Sequence, residues 1–142
     1  MSMKVLISYL VLLLMFNTHV LADDQYIADS GDAELDESLI LIHKNINRKN
    51  KKKLSQFVDK VAEDFQVPVS KVEELFNVYE FKAPDVLMSV SVADVSGEPL
   101  QNISVLYAKN KKKGWKYTLK QMNINRGSKV FNQIKKDIAA EY

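Results

Sequence analysis

The sequence predicts an all-α fold, a compact bundle of about five short helices forming a single domain over residues 38–142. Three observations carry that expectation. Apolar residues recur at three- and four-residue spacing in several separate stretches. Serine, proline and glycine fall where such stretches begin and end. The connections between stretches are only a few residues long. The competing arrangement is α+β, with a hairpin around residues 103–119 built from Ile103–Ala108 and Trp115–Leu119.

Taken in order, residues 23–37 read as an acidic, flexible arm, because Asp, Ser and Gly dominate its first part with little apolar content. Leu39 to Ile42 form an apolar patch. From Lys51 the pattern is helical, with Leu54, Phe57, Val58, Val61 and Phe65 on one side. Val67-Pro68-Val69 ends that helix. Ser70, with Glu73 three residues on, predicts a capping box for a short second helix burying Val72, Leu75 and Phe76. Residues 83–95 read two ways. Pro84 and Asp85 suit a first helical turn, whereas Val86, Met88, Val90 and Val92 alternate as in a strand. After Ser96-Gly97, Pro99 opens a stretch in which Leu100, Ile103, Leu106 and Tyr107 fit a helix. A charged turn, Lys109 to Gly114, precedes residues 115–122. Ser128 is then the expected N-cap of a last helix carrying Phe131, Ile134 and Ile138.

The first 22 residues read as an export signal. Lys4 supplies a positive start, Val5 to Phe16 an apolar run, and Val20-Leu21-Ala22 a small-residue cleavage site. The apolar run is shorter than the roughly 20 residues of a spanning helix, so no transmembrane segment is expected after its removal. An exported location follows, periplasmic or extracellular. Cleavage leaves 120 residues, enough for one core. The chain has no cysteine, so packing rather than disulfides must hold it, and thiol chemistry is excluded. His43 is the only histidine after His19, which excludes a multi-histidine metal site within the mature chain, and no cofactor is expected.

Charge is unevenly distributed. Residues 23–37 hold seven acidic side chains and no basic one, while residues 38–142 hold 19 basic and 11 acidic. An acidic segment on a basic body points to self-association or to an anionic partner.

The series Pro84-Asp85-Val86, Ser96-Gly97-Glu98-Pro99-Leu100, Tyr107 followed by Lys109, Lys111, Lys112, Lys113, Gly114 and Trp115, and finally Gly127-Ser128 with Phe131, resembles a group of small exported bacterial proteins that are mainly helical and have no established activity. The resemblance spans roughly residues 50–136 and implies helix for residues 84–95. This chain departs from the group in three places. Lys112 makes the turn more basic, Arg126 stands where proline is usual, and Asn132 where histidine is.

The candidate ligand-binding residues are Lys109, Lys111, Lys112, Lys113, Trp115, Lys116, Tyr117 and Lys120. Clustered ammonium groups attract phosphates, acidic polysaccharides or acidic proteins, and an interleaved aromatic ring can stack on a base or sit at a membrane surface. Trp115 beside Gly114 equally suits a core anchor. A second cluster, Lys44, Arg48, Lys49, Lys51, Lys52 and Lys53, precedes the first clear helix. Lysines there oppose the helix dipole, unless the helix runs back to Asp36 and places them mid-helix. No nucleophile elbow surrounds any serine near His43, and the carboxylate pairs Glu73/Glu74 and Asp94/Glu98 suit capping and solvation. Asp29, Gly31, Asp32 and Glu34 lack the spacing of a calcium loop. The expected function is a non-enzymatic exported domain binding an anionic surface, polysaccharide or acidic protein through its lysine/aromatic face. The alternative is an interaction module, with homo-oligomers formed when the acidic arm docks on the basic body.

Overall fold

Helix is the only regular structure among residues 25–141, the part of the chain that this computed structural model describes. The signal segment 1–22 lies outside those residues. Seven α-helices follow one another: α1 (Ala33–Asn45), α2 (Lys51–Asp64), α3 (Val69–Asn77), α4 (Ala83–Ser96), α5 (Leu100–Lys109), α6 (Gly114–Gln121) and α7 (Lys129–Ala139), with a 3-10 turn over Lys111–Lys113. The all-α expectation therefore holds, with more helices than about five. Among the described residues no helix is long and apolar enough to cross a membrane.

The ambiguous segment is the centre of the bundle. Every residue from Ala83 to Val92 is buried, and α4 packs against α1, α3, α5 and α7. A helix covered on all sides needs no polar stripe. This explains why its alternation resembled a strand. Ser89 hides its hydroxyl by donating to the Asp85 carbonyl at 2.7 Å, one turn back. Gly97, at φ 76°, ends the helix in the left-handed conformation.

The hairpin alternative is corrected. Ile103 and Tyr107 are buried four residues apart on α5, and Trp115 and Leu119 four apart on α6, a helical period rather than a two-residue one. The capping box at Ser70 is corrected as well. Helix α3 begins two residues earlier, with Pro68 at its N-cap and the Pro68 carbonyl accepting from Lys71 N (2.9 Å) and Val72 N (3.2 Å). Pro99 plays the same part for α5. The cap at Ser128 is as expected, its hydroxyl accepting from Phe131 N at 3.2 Å.

The flexible arm is the largest revision. From Gln25 onward the acidic segment follows a fixed path, and α1 begins inside it. Asp32 is the N-cap, accepting from Leu35 N at 3.0 Å, while Ser30 N donates to Asp36 at 2.9 Å. Ala28 and Leu35 enter the core. Two of the three carboxylates weighed for calcium, Asp32 and Glu34, have cationic partners. Lys135 reaches Asp32 at 3.2 Å and Glu34 at 2.9 Å, and Arg126 lies 3.6 Å from Asp32. Burial works against the Asp32 charge, yet the bonds from Leu35 N and Lys135 outweigh it and hold its carboxyl below the usual range.

Before α1 the arm crosses the start of α6. Trp115 N donates to the Ala28 carbonyl (3.3 Å) and Lys116 N to the Asp29 carbonyl (2.8 Å). The crossing requires glycine at position 114. Its φ of 72° and ψ of 177° lie in a region open essentially to glycine alone, and a Cβ there would stand 2.6 Å from the Asp29 Cβ. Gly97 differs, because a Cβ there would meet nothing within 4 Å. Thermal or urea unfolding should therefore separate the two. Gly114→Ala is expected to lower stability by about 3 kcal/mol or more, and Gly97→Ala by about 1 kcal/mol. Equal losses would contradict the close crossing.

Candidate functional site

The proposed ligand face is built where α5 gives way to α6. Tyr107 ends the buried side of α5, and the chain leaves the core at Lys109. The 3-10 turn then carries Lys111, Lys112 and Lys113 across the surface until Gly114 returns it to the core. Spacings of three and four residues put Lys113, Lys116, Tyr117 and Lys120 along one flank of α6. Lys109, Lys111, Lys112, Lys113, Lys116 and Lys120 are all exposed, and Tyr117 is half-buried.

Two of these lysines have internal partners. Lys111 Nζ donates to the Glu80 carbonyl at 3.3 Å and stands 5.5 Å from the Phe81 ring centre. Lys113 Nζ lies 4.3 Å from the Tyr117 ring centre, a cation–π distance. The Lys116 stem runs beside Gly31. None of Lys109, Lys112, Lys116 and Lys120 forms an ion pair among the described residues. Along the sequence, residues 99–136 contain ten basic side chains and no Asp or Glu, although in space Asp32 and Glu34 reach Lys135 and Arg126, and Asp29 stands beside Gly114 at the root of the turn.

Trp115 does not belong to this face. It is fully buried, stacks on Tyr107 with ring centres 3.9 Å apart and planes 6° from parallel, and donates its Nε1–H to Asp85 at 3.0 Å. The indole thus cannot present itself to a surface ligand, and Tyr117 is the aromatic ring left beside the lysines.

No protein-family model, curated protein or solved structure matches this chain. The argument for function therefore rests on the site itself.

Beneath the lysine turn lies a group that the sequence reading passed over. Asp85 Oδ1 accepts three hydrogen bonds, from Tyr26 Oη (2.8 Å), Tyr107 Oη (2.9 Å) and Trp115 Nε1 (3.0 Å). The carboxyl is 1% exposed and has no cation within ion-pairing distance among the described residues. Desolvation dominates its titration and raises its pKa above the ordinary 3.8, against the lowering effect of the three donors and of Lys111. Burial and the neighbouring Asp85 likewise push the Tyr26 and Tyr107 phenols well above their usual range. At that depth the carboxyl ties together the three elements that carry its donors. One signal was present in the sequence: a lone carboxylate in the apolar run from Ala83 to Ala93, in a chain with one indole and six phenols.

Asp85→Ala would leave three buried donors unsatisfied. The expected loss is on the order of 3–6 kcal/mol, read by chemical unfolding. Asp85→Asn keeps an acceptor oxygen and should lose much less. The pH trend has a definite sign. A carboxyl whose folded pKa is raised contributes its stability in acid and loses it as pH rises from the unfolded value through the folded one. The Tm of Asp85→Asn relative to the native chain should accordingly increase from about pH 3 to about pH 7. A decrease would mean that the three donors, and not desolvation, control the group.

Proposed function

We infer that this chain is a non-enzymatic, exported helical domain that binds an acidic macromolecule electrostatically through the lysine face of residues 109–120. Export follows from the signal-like character of residues 1–22. The observation that supports the binding role most strongly is the cluster of six exposed lysines over residues 109–120, none of which forms an ion pair among the described residues. Six ammonium groups spread over a turn and one helix flank suit a repeating polyanion, whose phosphates or sulfates release counterions on contact. Tyr117 offers one ring for a stacking contact at the edge of the patch. The internal pairing of Asp32 and Glu34 with Lys135 and Arg126 favours this reading over assembly through a free acidic arm, because those charges already have partners within one copy.

The test is a titration of the mature protein with a single-stranded oligonucleotide at several salt concentrations. Lys111→Ala/Lys112→Ala/Lys113→Ala should weaken binding by about tenfold or more and reduce the slope of log K against log salt by about 2. Unchanged affinity and slope would remove this face from the account.

A further inference from the structure

We propose that a groove adjoining the lysine turn at Phe81 binds a single-chain anionic amphiphile, of which a medium-chain fatty acid carboxylate is the defining chemistry. The groove has a volume of about 370 Å³ and lies between the C-terminal end of α1, the 46–50 turn and the connection from α3 to α4. Its floor is apolar. Phe76, Phe81 and Ala83 are buried, and Ile46 and Leu54 pack against the core beside them. Lys44, Arg48, Lys49 and Lys82 are exposed around it, and no lining residue is acidic. The inference stands on these residues and not on the lysine face of 109–120.

The local sequence explains why cations ring an apolar floor. Helix α1 stops at Asn45 and α2 is restarted by Asn50, whose side chain caps Lys53 N at 3.1 Å. The first turn of α2 therefore carries Lys51, Lys52 and Lys53 with no acidic residue, against the helix dipole. The alternative of one continuous helix from Asp36, which would have placed these lysines mid-helix, is excluded by that break. The break also leaves Ile46 and Leu54 half-buried on either side of the turn. Arg48 donates to the Phe76 carbonyl, which holds its guanidinium at the edge of the floor. Lys44, Lys49 and Lys82 have no ion-pair partner among the described residues.

Charge and shape together select the ligand class. A polyanion has no use for an apolar floor, and a neutral amphiphile none for four cations. A carboxylate head can take the planar fork of Arg48 and the nearby ammonium groups, while its chain covers the exposed parts of Ile46 and Leu54 above the buried Phe76 and Phe81. At about 30 Å³ per heavy-atom group the groove holds about twelve such groups, the ten carbons and two oxygens of decanoate.

The experiment is an amide-resolved NMR titration of the mature protein with decanoate below its micelle concentration. Saturable shifts are expected at residues 43–49 and 76–83. Octanoate should bind about tenfold more weakly, since each buried methylene is worth about fourfold. Lys44→Gln/Lys49→Gln/Lys82→Gln should weaken decanoate by about tenfold or more, whereas Lys112→Ala/Lys120→Ala should leave it within about threefold. These lysines are exposed, so the folded spectrum should persist in both variants. Decyltrimethylammonium binding as tightly as decanoate, shifts confined to residues 112–120, or shifts that do not saturate would each overturn the proposal. Oligonucleotide binding separates the two readings, because it should depend on Lys111, Lys112 and Lys113 whatever decanoate does.

Discussion

The described structure turns on one oxygen atom. Asp85 Oδ1 gathers the arm through Tyr26, α5 through Tyr107 and α6 through Trp115, segments that are 59, 22 and 30 residues away in sequence. A buried carboxyl without a paired cation is unfavourable by itself. Three donors converging on it offset that penalty, and they also fix where each donor's helix or strap must lie. The donors in turn depend on Asp85, because a phenol or indole buried without an acceptor is nearly as unfavourable. Each part therefore stabilises the others only while all are in place. The two backbone bonds that Ala28 and Asp29 accept from the start of α6 complete the clasp, and they form only because Gly114 has no side chain.

The same arrangement shapes the surface. With Trp115 and Tyr107 stacked inward on Asp85, the intervening residues must loop out, and the loop is Lys109 to Lys113. A rigid anchor beneath an exposed basic turn holds the lysines in register without using their charge. Among the described residues, Lys111 is the one of these six whose ammonium group makes a hydrogen bond to the protein, and that is to a backbone carbonyl. In the adjoining groove, the break between α1 and α2 produces a cationic rim over apolar floor residues by a different route, the interruption of a helix rather than the burial of aromatics.

Much of this was legible in the residues. The periodicity of Leu54, Phe57, Val58 and Val61, the stop at Gly97 and the cap at Ser128 each correspond to an observed element. What escaped the sequence was long-range. Residues 25–37 look soluble because their stabilising contacts, with Lys135, Arg126, Asp85 and α6, lie 59 or more residues further along the chain. Trp115 read equally well as surface or core because its decisive partner, Asp85, is 30 residues away. The exposed lysines of the site were identifiable, since a lysine without nearby carboxylates needs no distant partner to explain it. The α4 ambiguity has the same origin: a helix buried all round loses the one-sided pattern that sequence periodicity detects.

The central claim is that Asp85 joins the arm to the core as one cooperative unit. Native-state hydrogen exchange measures this directly, by comparing the Trp115 indole N–H, which bonds to Asp85, with the Lys116 amide, which bonds to the arm. The account expects both protons to exchange only on global opening, with the same free energy and the same denaturant dependence. Exchange of the Lys116 amide at a far lower opening free energy than the indole would show that the arm detaches while the core stays closed, and would contradict the claim.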